Sequence, residues 1–452
     1  MTGRVAHIIS LLLGMGLFCC TVVAQDTAPP LAITHVTIID TETGSLQPNV
    51  TVLISKGRIE SIQRAGVAIP RNVRRIDGTG KFLIPGLSDM HVHLSYSAIS
   101  ALPVLVANGV TSVRDCGSDL VQIDDWRSRI AVGAIVGPRI IRAGPILNGQ
   151  SFNPYQLVTG DPDQARGIVR ALKQVGVDFI KVHRRVPRDS YFAIIDEAKK
   201  QGLRVVGHIP MSITPEEASD AGQLIEHTET LFEGTFSASL SSQAELPDAI
   251  ARFRVEGGDA LFARFVHNGT SVTPTLSAWR YLVDHPDKSS FFSDPRMRYV
   301  ARSQKEAASK AAPPFTPQTF PIVKRLYAEY REVVRQMNRS GVMLLAGTDT
   351  AGPRIPGFML HEELAALVDA GLTPLQALQT ATLNPAKVLG KEADFGTVKI
   401  GRVADLLLLD ANPLADIRNT QRIAAVVIRG KLLRRADLKE LLRVGEEMAS
   451  RN

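Results

Sequence analysis

The sequence predicts an α/β fold in which a central (β/α)8 TIM barrel carries a small β-sandwich domain built from the two ends of the chain. Three observations predict it. Eight short apolar stretches alternate with helical patterns through the centre, which is typical of parallel strands joined by helices. Several of these helical patterns end at a glycine that opens the next strand, and glycine is favoured just past a helix C-terminus. Both ends of the chain show the apolar alternation and turn residues of β-strands.

The domain limits follow from these patterns. Residues 25–80 supply the N-terminal part of the sandwich and residues 391–452 its C-terminal part, while the barrel occupies residues 81–390. The eight predicted barrel strands are Phe82–His93, Val110–Cys116, Arg139–Ile146, Val177–His183, Arg204–Ile209, Leu224–His227, Ser271–Thr275 and Val342–Asp349.

One segment is too long for a single barrel connection. Residues 277–339 contain charged helical patterns and are predicted to be a helical insertion. Long insertions on such a scaffold often form a lid or a wall of the substrate site. A solvated decoration is an equal alternative.

The first 24 residues are predicted to be a signal peptide. Arg4 precedes the apolar run from Ile8 to Val23, and the small residue Ala24 marks the expected cleavage site. The protein is therefore expected to be exported, periplasmic or secreted, without stable membrane association after cleavage. An uncleaved anchor is the alternative. Cys116 would be the lone cysteine of the mature chain, so no internal disulfide is expected.

The charge pattern argues against nucleic acid as a partner. The 452 residues include 52 basic and 45 acidic ones, for a formal charge of +7, and the excess is dispersed rather than clustered with aromatic residues. The hydrophobic share of 44% is that of an ordinary globular protein. We expect a small-molecule substrate, and a homo-oligomer stays open.

The ends of five predicted strands carry residues that bind metals. Barrel enzymes place their reactive groups at the C-terminal ends of the strands. Imidazole and carboxylate groups are ligands of catalytic divalent metals. Taken singly, a lysine there could be a surface cation and a histidine a buried hydrogen-bonded residue, but an accidental convergence of all of them is improbable. The residues are His91, His93, Lys181, His208, His227 and Asp349.

Several motifs resemble those of the amidohydrolase superfamily. The segment 85–93 reads PGLSDMHVH, residues 225–227 read IEH and residues 346–349 read AGTD. Segments from Gly371 to Ala386 and from Gly396 to Leu406 are similar to its C-terminal signatures. The resemblance covers nearly the whole mature chain and is strongest to the branch that holds Xaa-Pro dipeptidases (prolidases) and imidazolonepropionases.

The resemblance implies a two-metal centre. His91 and His93 would bind the more buried ion beside Asp349, while His208 and His227 would hold the second. A carboxylated Lys181, formed with CO2, would bridge two divalent metal ions, with Zn2+ as the expected metal. The alternative is one metal held by the set His91, His93, His208 and Asp349, with Lys181 turned away.

These ligands imply hydrolysis of a C–N bond. A metal lowers the pKa of bound water from ~15.7 towards ~7, which gives a metal-bridging hydroxide as nucleophile. Asp349 would take its proton and pass it to the leaving amine. The expected substrate is a dipeptide or an N-acyl amino acid with a free C-terminal carboxylate. Hydrolysis of a cyclic amide, lactone or phosphotriester at the same site is the alternative, as is a non-catalytic binding barrel.

Four further residues are candidates for substrate binding. Arg114 ends strand two and could pair with another side chain or with a substrate carboxylate. His183 shares the face of Lys181 and could line the pocket, with a structural histidine as an equal alternative. Arg184 stands where dipeptidase-like members commonly have a glycine-rich loop, which leaves the substrate open. His361 begins the helical pattern after strand eight and could touch substrate or serve the helix N-terminus.

Overall fold

The fold is taken from a computed structural model that describes residues 29–236, 243–311 and 315–452. The predicted signal peptide lies outside these ranges. The strands are β1 Leu31–Ile39, β2 Leu46–Ser55, β3 Arg58–Arg64, β4 Arg74–Asp77, β5 Phe82–Pro85, β6 Leu87–Val92, β7 Val110–Asp115, β8 Arg139–Arg142, β9 Ile146–Asn148, β10 Gln156–Val158, β11 Ile180–Val182, β12 Val205–Gly207, β13 Leu224–Glu226, β14 Ser271–Thr273, β15 Met343–Leu344, β16 Leu406–Leu409, β17 Ile423–Ile428 and β18 Lys431–Arg434.

The helices alternate with the strands through the centre and end the chain. They are α1 Leu94–Ser97, α2 Ala101–Ala107, α3 Leu120–Ala131, α4 Pro162–Gln174, α5 Arg188–Lys200, α6 Pro215–Asp220, α7 Thr230–Phe236, α8 Leu246–Glu256, α9 Gly258–Asn268, α10 Leu276–Asp284, α11 Lys288–Ser293, α12 Arg302–Lys310, α13 Phe320–Ser340, α14 Phe358–Asp369, α15 Pro374–Thr380, α16 Leu383–Val388 and α17 Arg435–Arg451. Short 3-10 helices occupy Gln243–Glu245, Pro295–Tyr299 and Ile417–Gln421.

Strands from both ends of the chain pair in one sheet. Its order is β18-β17-β16-β5-β1-β2-β3, and β4 also pairs with β1. The two halves meet where β5 lies antiparallel to β16, with Ile84 opposite Leu407. The structure therefore joins segments that are more than 300 residues apart in the chain.

Parallel strands form the centre of this α/β fold. One sheet has the order β6-β7-β8 and another the order β10-β9-β11-β12-β13-β14-β15. Backbone hydrogen bonds also link their ends: Met90 N donates to Ala346 O at 2.9 Å, and Asp178 N donates to Arg142 O at 2.9 Å. The first predicted barrel strand thus lies beside the last.

The predicted strand Phe82–His93 is wrong as a single element, because the chain changes sheets at Gly86. Residues before it belong to the sheet of the chain ends, and residues after it belong to the parallel sheet. Gly86 N donates to Asp405 O at 2.8 Å. A Cβ at Gly86 would lie 2.1 Å from Thr111 Oγ1, so only glycine fits this crossing point.

Apolar packing holds the helices on the parallel strands. Buried strand residues such as Val113, Ile180 and Val272 contact helix residues such as Phe262 and Leu364 in one continuous core. Removing this apolar surface from water is the main force that fixes the strands. None of the helices in the described ranges has both the length and the hydropathy needed to cross a bilayer.

Candidate metal centre

The six predicted ligands lie at or just beyond the C-terminal ends of five parallel strands. His91 lies in β6 and Lys181 in β11, and the others follow β6, β12, β13 and β15 within a few residues. The five histidine and lysine residues are at most 9% exposed, and the Asp349 side chain is 21% exposed. The cluster is therefore largely shielded from water, yet Asp349 opens onto solvent.

Three ligand atoms from the cluster surround one point. His91 Nε2 and His93 Nε2 are 3.3 Å apart, and Asp349 Oδ1 lies 3.5 Å from the first and 3.4 Å from the second. Ligand atoms about 2.0–2.1 Å from a tetrahedral metal ion are roughly 3.4 Å from each other. The spacing of these atoms fits a divalent ion between them.

The remaining histidines extend the cluster from this point. The ring centroid of His227 is 4.5 Å from that of His91 and 4.6 Å from that of His208. His183 continues the row, with its ring centroid 4.1 Å from that of His208. Ligand atoms of His91, His227 and Asp349 all lie within 4.8 Å of one another, so the set suits more than one arrangement of ions.

The Nδ1 atoms of three histidines lie within hydrogen-bond distance of a carboxylate, a backbone carbonyl or a hydroxyl group. His91 Nδ1 is 2.5 Å from Glu226 Oε2, and His93 Nδ1 is 3.0 Å from Gly117 O. His227 Nδ1 is 2.9 Å from Thr275 Oγ1. These contacts leave each Nε2 facing the cluster, which is the arrangement that orients metal-ligating imidazoles.

Lys181 is a buried amine with no hydrogen-bond partner among the described residues. It is only 1% exposed. A buried ammonium without a partner is strongly unfavourable. His208 Nδ1 is likewise unpaired within the described part of the chain. These orphaned polar atoms fit a site that is completed by metal ions.

Burial keeps His91, His208 and His227 neutral, while nearby groups keep Asp349 charged. Burial lowers the pKa of His91 well below its ordinary range. Burial has the same effect on the pKa of His208 and of His227. Burial alone would raise the pKa of Asp349, but Arg354 and the adjacent histidines outweigh it and hold that pKa well below the usual value. Neutral imidazole and ionised carboxylate are the forms that bind metal.

The backbone turns the ligands inward at two strand ends. His227 and Asp349 have φ of 65° and 51°, in the left-handed region that residues other than glycine rarely adopt. Gly347 allows the close approach of this segment to β6, because a Cβ there would lie 2.8 Å from His91 Cβ. Asp89 ties the two together by accepting from Thr348 N and Oγ1 at 3.1 and 2.7 Å.

Two of the four predicted substrate residues do not reach the cluster face. Arg114 is 1% exposed and ion-pairs with Glu226, while its Nε donates to Met90 O at 2.7 Å. Arg114 thus takes the alternative of pairing with another side chain. His361 is 2% exposed, and its Nε2 donates to Asn108 O at 3.0 Å. The fold uses both side chains internally, and their contact with substrate stays a prediction.

The other two predicted substrate residues lie beside the cluster. The ring of His183 is tilted against the ring of His208. Burial lowers the pKa of His183 to about 3. Arg184 forms an ion pair with Glu233 at 3.1 Å and has 39% of its side chain exposed. Both therefore remain predictions for substrate binding.

Sequence reasoning missed two residues that support the ligands. Glu226 connects Arg114 to His91 and has no exposed side-chain surface. Arg354 Nη1 donates to Asp349 Oδ2 at 2.7 Å and to Asp349 O at 2.8 Å. Glu226 could have been found from the sequence, because it is an acidic residue directly before the predicted ligand His227. Nothing local in the sequence indicates the pairing of Arg354.

Comparison with known proteins gives a consistent result. Residues 82–433 match the profile of the Amidohydrolase family. Imidazolonepropionase of Vibrio cholerae serotype O1 is 24% identical over 413 residues, covering 84% of this chain and 92% of that protein. Ochratoxinase of Aspergillus niger is 39% identical over 90 residues, but the match spans 20% of this chain and only 18% of that protein.

A solved structure shows the same fold. A Xaa-Pro dipeptidase with bound methionine in the active site superposes with a TM-score of 0.68 at 21% identity, covering 90% of this chain and 100% of that chain. The profile match spans most of the chain, so the family predicted from the sequence motifs is confirmed.

Proposed function

Since this chain belongs to the amidohydrolase family and is a hydrolase that acts on carbon–nitrogen bonds, we propose that it cleaves the amide bond of a dipeptide or an N-acyl amino acid. The observation that carries the proposal is the convergence of His91 Nε2, His93 Nε2 and Asp349 Oδ1 within 3.5 Å of one another. The neighbouring Lys181 and two further histidines support a two-ion centre.

The residues divide between two divalent ions, with Zn2+ as the proposed metal. His91 and His93 would hold one ion beside Asp349, and His208 and His227 would hold the other. Lys181, carboxylated by CO2, would lie between them. Neutral lysine is the form that reacts with CO2, and nearby cations favour both its deprotonation and the anionic product. When bound, such ions supply Lewis-acid activation of water and of the amide carbonyl.

Asp349 is the proton carrier in this scheme. Its ionised carboxylate accepts a proton from the attacking water and passes it to the nitrogen of the leaving amine. Arg354 binds the other oxygen of Asp349 and so fixes the direction of the carboxylate. An amine leaves only after protonation, which is why a single acid–base residue serves both halves of the reaction.

The substrate carboxylate has cations available near β11. Arg184 and Arg185 directly follow this strand, and Arg185 is exposed and stacks over the ring of Phe152 at 4.7 Å. Guanidinium groups pair with carboxylates through two parallel hydrogen bonds. We therefore place the free C-terminal carboxylate of the substrate on this side of the cluster.

Substitution of Lys181 tests the two-ion centre. In Lys181→Ala, we expect metal content to fall from two ions per chain and activity to fall at least a hundredfold, with partial recovery in short carboxylic acids that replace the bridge. Lys199→Ala, at an exposed lysine of α5, is the matched control. One ion per chain in the fully active enzyme, or full activity of Lys181→Ala, would rule the bridged pair out.

A substrate panel tests the bond and the carboxylate. The purified protein would be assayed on dipeptides, N-acyl amino acids, their neutral amides, lactones and phosphotriesters. We expect the free acids to be hydrolysed best. Activity on neutral lactones or phosphotriesters with inert free-acid amides would overturn the proposal.

Two broader features belong to the same proposal. We propose that the parallel strands of the two central sheets close into a (β/α)8 barrel, supported by the hydrogen bonds from Met90 to Ala346 and from Asp178 to Arg142. The shared sheet of the chain ends supports a small β-sandwich domain.

We also propose export with cleavage after Ala24, which mass spectrometry of the native protein would test; a chain beginning at Met1 would contradict it.

A further inference from the structure

The helices between β14 and β15 line an open cavity of about 480 Å3. Its walls come from α10, α11, α12 and the loop that follows β15. Pockets of about 300–1,000 Å3 commonly hold ligands the size of small organic molecules. We call this space the insertion cavity. Its chemistry is distinct from that of the metal centre, because no predicted metal ligand lines it.

One wall of the insertion cavity is a helix face made of small residues. Gln304, Ala307, Ala308 and Ala311 line the space and recur at the spacing of one face of an α-helix. The structure describes all of α12, and this helix buries none of its side chains. The alanines of this face are small and leave the adjoining cavity unfilled.

The opposite wall is aromatic. Tyr281 and Phe315 are 3% and 8% exposed, and the half-buried Phe291 and Phe292 complete the surface. The ring centroids of Tyr281 and Phe291 are 5.3 Å apart in an edge-to-face arrangement. Aromatic walls of this kind favour apolar ligands, since their rings offer large surfaces for burial.

Arg354 connects the insertion cavity to the metal centre. Its side chain lines the cavity, while its Nη1 donates to Asp349 Oδ2 at 2.7 Å. The cavity therefore lies within one side chain of the carboxylate that carries the proton.

The position of the cavity indicates which part of a substrate it faces. Arg184 follows β11 and Arg354 follows β15, and these strands are four places apart in their sheet. The two arginines therefore flank the cluster from different sides. With the substrate carboxylate near Arg184, the acyl half of the amide points to Arg354 and the insertion cavity.

We infer that the insertion cavity binds a large apolar acyl group, an aryl group or an alkyl chain, of the amide substrate. This inference rests on the proposed function and gives the helical insertion its role as a wall of the substrate site. Burying successive methylene groups of the acyl chain among the aromatic rings would raise kcat/KM. Small acyl groups would leave the cavity unused.

Filling the cavity tests the inference. Ala308→Trp places a ring in the space, and Ser309→Trp places the same ring on an exposed position of α12 that does not line it. In the wild type, we expect kcat/KM for N-octanoyl-alanine to exceed that for N-acetyl-alanine by about tenfold or more. In Ala308→Trp, the octanoyl value should fall by about tenfold and the acetyl value should stay within about twofold. Ser309→Trp should change neither.

The outcomes separate this inference from the proposed function. Equal losses on both substrates, or a wild type without preference, would overturn the cavity role while leaving amide hydrolysis intact. If the metal-loaded wild type cleaves neither these substrates nor any dipeptide or other N-acyl amino acid, the proposed function fails, and binding of the dye anilinonaphthalene sulfonate decides whether the cavity binds apolar groups. Cleavage of dipeptides alone would overturn the role of the cavity in acyl binding. Dye affinity weakened in Ala308→Trp but not in Ser309→Trp supports an apolar site, and equal affinity in all three proteins overturns it. Ala308→Leu, a smaller change, repeats the test if Ala308→Trp fails to fold.

Discussion

The metal centre and the insertion cavity meet at Arg354 but are built in different ways. The metal centre collects polar atoms from five strand ends, several of them buried and without partners in the described part of the chain. The insertion cavity draws most of its lining from one stretch of chain, with aromatic rings facing alanines. Rigid strands are suited to hold reactive groups at distances of a few ångströms, whereas a helical insertion can change size without moving them.

This contrast predicts which substitutions abolish activity and which change selectivity. Changes in the metal centre should lower the rates for all substrates alike. Changes in the cavity should alter the ratio between large and small acyl groups. The four variants below are ordered by the size of their expected effect on catalysis.

The largest effect is expected for Asp349→Asn. The amide can still offer an oxygen to metal but cannot accept and return a proton, so kcat should fall by about 10²–10⁴-fold on every substrate. Metal analysis should show that much of the metal remains. Asp163→Asn, at an exposed position of α4, is the control. A loss of activity confined to long-chain substrates would contradict the predicted difference between the metal centre and the insertion cavity.

Glu226→Gln should weaken the metal centre without touching the reaction itself. Glu226 accepts from His91 Nδ1, and loss of such a partner typically costs about 10–100-fold in metal affinity or activity. Competition with a chelator would measure the affinity, and excess metal should restore most of the rate. The exposed Glu256→Gln serves as control. Unchanged metal affinity would show that Glu226 does not orient His91.

Arg354→Gln should affect both regions, because this side chain belongs to both. Loss of the charged hydrogen bond to Asp349 is expected to lower kcat/KM by about tenfold on all substrates. Loss of part of the cavity wall should also reduce the preference for long acyl groups. Arg302→Gln, on the exposed side of α12, should do neither. A change in preference without a change in rate would place Arg354 in the cavity alone.

His361→Gln should leave catalysis unchanged and alter stability in acid. Burial lowers the pKa of His361 from 6.5 to about 4, so between these values the unfolded chain binds a proton that the folded chain does not. Wild-type stability therefore falls as pH drops from 6.5 to 4, by roughly 2–3 kcal/mol from this group. The glutamine side chain of the variant cannot titrate, yet its amide can still donate to Asn108 O.

Urea unfolding of both metal-free proteins at pH 7 and near pH 4.5 measures this difference. The wild type should lose more free energy of unfolding than His361→Gln over this interval. An equal loss would show that His361 is not the group responsible, and a raised KM in the variant would support contact of His361 with substrate.

The amino-acid sequence was most informative where a few neighbouring residues decide the structure. The glycines after helices illustrate this: Gly176, Gly202 and Gly341 have φ of 75°, 65° and 86°, which ends each helix as the pattern predicts. The His-x-His pair is similar, since a strand period of two places His91 and His93 on one face and their Nε2 atoms 3.3 Å apart.

Where local patterns were ambiguous, the sequence reading was wrong or left open. The apolar run Phe82–His93 looked like one strand because both of its halves are buried, although they belong to different sheets. Arg114 at a strand end left two readings open, a side-chain pair or a cation for a substrate carboxylate. The structure has the pair, since the Arg114 side chain lies inside and Glu226 compensates its charge.

The sequence by itself determined the residue types at the strand ends, because strand period and helix termination depend on neighbours a few positions away. Only the tertiary structure decided how those residues are supported and what borders them. Glu226 reaches His91 across 135 positions of the chain, and Arg354 contacts both Asp349 and the insertion cavity. Such contacts depend on side-chain packing between distant segments, and no local pattern of residues specifies which of them will meet.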